Sequence, residues 1–125
     1  MTVIEAIEEA DALKPNLFPV ANKIRWLSRL DYRVYEEIMK THVFNDDETD
    51  PEFAGYGEGD TDETLLVREP WAEMYVFYLS AMIDFNNLEY DGFNATNAMF
   101  EAVWSQFANH YNDTHMPITT TKRYF

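Results

Sequence analysis

Carboxylates are the side chains most able to do chemistry in this chain, and they are crowded. Asp46, Asp47, Glu48, Asp50, Glu52, Glu58, Asp60, Asp62 and Glu63 follow one another without a basic residue between them. Oxygen ligands at such density can bind calcium. The helix–loop–helix calcium spacing fails, however, because Pro51 and not glycine follows Asp46-x-Glu48-x-Asp50. Three readings stay open for this run: a solvated loop, a loop that docks on a basic partner, and a calcium site without the usual spacing. For docking, or for lining a channel, the residues named are Asp46, Asp47, Glu48, Asp50, Glu58, Asp60, Asp62 and Glu63. The histidines offer less. His110 and His115 are five apart, and on one helix they would point to different faces, whereas a zinc pair needs three or four. His42 stands alone near a helix end.

Glu5 with Glu8, and Asp31 with Glu36 or Glu37, loosely imitate the Glu-x-x-Glu pairs with which small all-α pyrophosphatases hold magnesium. In a chain with 23 acidic residues such pairs arise by chance. No Gly-rich phosphate loop, no Gly-x-Ser-x-Gly elbow and no cysteine accompanies them. The sequence therefore predicts no catalytic residue, no cofactor and no metal. Positive charge is gathered instead at Lys23, Arg25, Arg29 and Arg33. Arg25, Arg29 and Arg33 are spaced by four and share a helix face. That stripe either pairs within its own helix, as Arg33 with Glu37, or receives the acidic surface of a neighbour.

The elements that would position these groups read as helices. Thr2-Val3-Ile4-Glu5 has capping-box spacing. Val3, Ile4, Ile7, Ala10 and Leu13 then recur at helical period until Pro15. A second helix opens near Pro19 and runs to about residue 42 on Ile24, Leu27, Leu30, Val34 and Ile38. Pro51, Gly55, Gly57 and Gly59 make 45–63 a long loop, and Thr64 to Val67 a short extended return. A third helix follows Pro70, with Trp71, Met74, Tyr75, Tyr78, Met82 and Phe85 on one face. It is apolar nearly all round, so it is expected to be central or to face another subunit. A fourth, about 89–112, buries Phe93, Phe100, Val103, Trp104, Phe107 and Tyr111 and forms an antiparallel hairpin with the third. The expected architecture is all-α: one four-helix bundle-like domain over 1–125, with the acidic loop between helices two and three and an extended tail at 117–125. The expected subunit interface comprises Arg25, Arg29, Arg33, Trp71, Tyr75, Tyr124 and Phe125.

Bulk properties limit the partners. Hydrophobic residues at 46% and aromatics at 16% exclude a wholly disordered chain. A net charge of −14 opposes binding to DNA or to anionic membrane surfaces. It also keeps copies apart unless a specific interface joins them. No apolar run approaches the roughly 18 residues of a membrane span, and the acidic N-terminal segment does not read as a signal peptide.

Two pairs of strings carry a resemblance. Glu5-Ala-Ile-x-x-x-Asp-Ala-Leu-Lys-Pro-Asn16 and Lys23-Ile-Arg-Trp-Leu-Ser-x-Leu-Asp31 resemble the first half of small proteins of Firmicutes phages and prophages. Tyr75-x-x-Tyr-Leu-x-Ala-x-Ile-Asp-Phe-x-Asn87 and Phe107-Ala-Asn-x-Tyr-Asn-x-Thr-His-Met-Pro117 resemble their second half. Those proteins are similar to the head–tail connector, or head-completion adaptor, class. The resemblance implies a helical subunit of a ring, often of twelve copies, seated beneath the portal protein. Such a ring extends the DNA channel and docks the tail or a stopper protein, and carboxylates of the loop or of the first helix would line the channel. Double-stranded DNA would pass through without specific binding. The implied location is the head–tail junction of the virion, and the host cytoplasm before assembly. A rival expectation is an acidic mimic of DNA that blocks a host nuclease or repressor.

Overall fold

The computed structural model describes residues 1–45 and 52–118. Within them the fold is all-helical, with four α-helices and no strand: α1 (Val3–Leu13), α2 (Val20–Arg33), α3 (Glu73–Asn86) and α4 (Tyr90–Thr114). The first helix starts where the capping box predicts. Glu5 N–H donates to Thr2 Oγ1 at 3.3 Å, and Thr2 N–H donates to Glu5 Oε1 at 2.8 Å. These bonds hold the Glu5 carboxyl below the usual carboxylate range. At the other end of α1, Lys14 reaches across to pair with the buried Asp84 of α3.

The core is one cluster shared by all four helices. Val3, Ala6, Ile7 and Ala10 come from α1, and Ile24, Trp26, Leu27 and Leu30 from α2. From α3 come Met74, Tyr75, Val76, Leu79 and Ile83, and from α4 Phe100, Val103, Phe107 and Tyr111. The α3–α4 hairpin is the most extensively packed pair, and α1 lies on α3. Its turn uses Leu88 in the left-handed region (φ 62°). Helix α4 then passes so close over α3 that a Cβ on Gly92 would sit 2.8 Å from Asp84 Oδ2.

Two boundaries and one burial differ from the sequence expectation. The second helix is not one regular helix to residue 42. After Arg33 it widens into a π segment, Val34–Met39, closed by Lys40 N–H to Tyr35 O at 2.8 Å. Buried Leu30, Val34, Ile38 and His42 are spaced by four. In a regular helix that spacing drifts by about 40° per step; a wider turn cancels the drift and keeps all four facing inward. Helix α3 begins at Glu73, so Trp71 lies in the preceding turn, after a cis Glu69–Pro70 bond. Phe93 of α4 is only half-buried, packed on Phe85 with ring centroids 5.3 Å apart. The start of the tail is extended as expected: 116–118 lies antiparallel to 41–43, with Val43 N–H to Met116 O at 2.7 Å and Ile118 N–H to Thr41 O at 2.8 Å.

Candidate subunit interface

Of the residues expected at an interface, Arg25, Arg29 and Arg33 are exposed on one side of α2. Their environments differ. Arg33 donates to Glu37 at 3.1 Å and its guanidinium lies 4.7 Å from the centre of the Trp104 ring. It is thus occupied by its own helix and by α4. Arg25 and Arg29 pair with no carboxylate among the described residues. Arg25 borders a hollow of about 180 Å³ with Ile24, Ser28, Tyr56 and Glu58. Lys23, read as part of the same basic group, points the other way: it is buried and bonded to Asp11 at 2.7 Å.

Tyr75 is a correction. Its side chain is 0% exposed and cannot offer a surface. It belongs to a buried polar hub centred on Asp31. Tyr75 Oη donates to Asp31 Oδ1 at 2.6 Å, and Tyr56 Oη donates to Oδ2 at 2.5 Å. Leu66 N–H adds a third bond to Oδ2 at 3.1 Å, and Val67 N–H donates to Tyr75 Oη at 2.8 Å. The hub ties α2, α3 and the 56–67 segment together. Burial pushes the Asp31 carboxyl above its ordinary range, and the two hydroxyls oppose that shift by favouring the carboxylate. Both tyrosines are pushed up by burial and by Asp31. Asp31 is therefore structural, not half of a metal pair with Glu36 or Glu37. Its role was illegible because Asp31 falls on the apolar stripe of α2 with no neighbouring partner; Tyr56 and Tyr75 lie 25 and 44 residues away.

Trp71 is half-buried, its ring against Phe107 (5.8 Å) and His110 (4.2 Å). Only its edge could meet a partner. Tyr124 and Phe125 lie outside the described residues, as do Asp46, Asp47, Glu48 and Asp50 of the acidic loop. Glu58, Asp62 and Glu63 are exposed, while Asp60 turns inward to accept from Gly57 N–H at 2.7 Å. The segment carrying them is fastened at both ends. Phe53 and Tyr56 pack ring to ring, and Phe53 also meets Tyr32 of α2. Gly55 has φ 93°, and a Cβ there would be 3.0 Å from Ser28 Oγ, so only glycine fits easily this close to α2. Further on, Val3 N–H donates to Glu63 O and Ile4 N–H to Thr61 O, both at 2.9 Å.

Two further surface features stand out. Glu5, Glu8 and Glu9 of α1 and Glu69 surround a hollow of about 460 Å³ with Met1. At the α3–α4 turn Phe85, Leu88 and Tyr90 are all at least half exposed. The expectation for the histidines also needs revision. His115 lies just past the end of α4 in extended backbone, so helical spacing does not apply to it, and it borders one hollow together with His110. No group of three His, Asp or Glu among the described residues could hold a metal ion. No helix there is long and apolar enough to cross a membrane. Comparison with protein-family models, curated proteins and solved structures finds no match.

Proposed function

We propose that the chain is a structural adaptor of a phage head–tail connector, folded as a single four-helix bundle-like domain. Copies assemble as a ring on the portal protein, extend the DNA channel and dock the tail or stopper. The phage assignment rests on the resemblance of the two pairs of strings. The observation that carries the assembly reading is the unpaired state of Arg25 and Arg29. In a chain of net charge −14, two exposed guanidiniums find no carboxylate among the described residues. The glutamates around the α1 hollow form a distinct acidic surface. A basic face and an acidic face on one chain suit head-to-side contact between identical copies, and such contacts give a ring when the rotation between copies closes. The remaining acidic surface would repel phosphate and let a duplex slide. The subunit would reside at the head–tail junction, reached from the host cytoplasm.

The test is assembly. The protein is mixed with purified portal or tail-less capsids and the vertex is imaged. A new ring of density below the portal is expected; an unchanged vertex refutes the reading. Deleting the gene should leave filled heads that leak DNA or fail to join tails.

A further inference from the structure

The hollow bordered by His110 and His115 differs chemically from the two hollows described above and from a third at the α3–α4 turn. It has a volume of about 120 Å³ and walls of Met39, Leu66 and Phe107, with Arg68, His110 and His115 at its edge. No carboxylate lines it. The α1 hollow has four glutamates, the one by the α3–α4 turn has Glu89 and Asp91, and the one beside Arg25 has Glu58. In so acidic a chain, a concave site with only cationic or neutral donors is unusual.

The two rings are held from behind, and the backbone that carries Arg68 is anchored. Arg68 follows directly on Leu66 and Val67, whose N–H groups are bonded to Asp31 and to Tyr75 Oη. Its guanidinium is exposed and pairs with no carboxylate among the described residues. The His110 ring rests on Trp71 at 4.2 Å, and neither of its ring nitrogens makes a hydrogen bond among the described residues. The His115 ring stacks on Tyr111 at 3.8 Å with the planes 1° apart, and its Nδ1 is 2.9 Å from Thr114 Oγ1. Apolar walls with a few converging donors are the usual make-up of a small-ligand site. A planar guanidinium matches two oxygens of a carboxylate or phosphate group.

We propose that this notch binds a single small oxyanion, with Arg68 as the principal contact and His110 and His115 at its margin. The proposal is independent of the connector reading. The hollow has room for one carboxylate or phosphate group.

The three histidines of the chain provide the assay. The readout is the set of imidazole C–H signals by NMR, assigned by single substitutions and followed during titration at constant pH and ionic strength. Inorganic phosphate and acetate are the two probes. The His110 and His115 signals are expected to move and saturate, with a dissociation constant on the order of 1 mM. His42 is the internal reference, because its ring is already bonded to Ile38 O and Asn112 Oδ1. Arg68→Gln, a change at an exposed position, should weaken binding about ten-fold or more. Tighter phosphate identifies a phosphate group as the preferred occupant; tighter acetate identifies a carboxylate. Linear, unsaturated shifts for both probes, or equal affinity in Arg68→Gln, would overturn the proposal.

Discussion

The Tyr75 hydroxyl gives one hydrogen bond and accepts another, and both partners are out of water's reach. Removing it as Tyr75→Phe leaves Asp31 Oδ1 and Val67 N–H each without a partner it now has. Each orphaned buried group costs about 1–3 kcal/mol, so the variant is expected to lose about 2–6 kcal/mol in urea denaturation. Tyr56→Phe serves as the comparison: Tyr56 is half-buried, Asp31 Oδ2 keeps its bond from Leu66 N–H, and the loss should be smaller. An equal loss for the two would mean that burial does not set the cost. The hub matters because it seats residues 66 and 67, and hence Arg68 directly after them.

Helix α4 can lie so close to α3 only because residue 92 has no side chain. Glycine near the start of a helix normally costs stability relative to alanine. Here the sign reverses: a Cβ would displace the Asp84 carboxylate that pairs with Lys14. Gly92→Ala is expected to lower stability by about 1–3 kcal/mol in thermal or chemical unfolding, and an increase would show that Asp84 moves freely. Nothing local in the sequence marks this glycine, since its reason lies on another helix. What could be read locally was read: the capping box at Thr2 and Glu5, the Pro15 stop, and the apolar stripes of α2, α3 and α4. The π segment could have been suspected from the four-residue spacing of Leu30, Val34, Ile38 and His42. The Asp31 hub and the His110–His115 hollow could not, because both depend on which elements come to lie side by side.

For the whole molecule, charge placement decides more than charge total. The reversal Arg25→Glu with Arg29→Glu alters only exposed, unpaired side chains, so stability should shift by no more than about 0.5 kcal/mol. On the portal the same variant should fail to add ring density; a normal ring would remove α2 from the interface. Arg33→Glu is a different case, because it also strips the cation from Trp104 and from Glu37. The pairing of 41–43 with 116–118 has a consequence of another kind. Asn45 Nδ2 extends that pairing with a bond to Thr114 O. The stretch after the π segment and the stretch after α4 are thus clasped by main-chain bonds, and a change that frees 116–118 also releases 41–43.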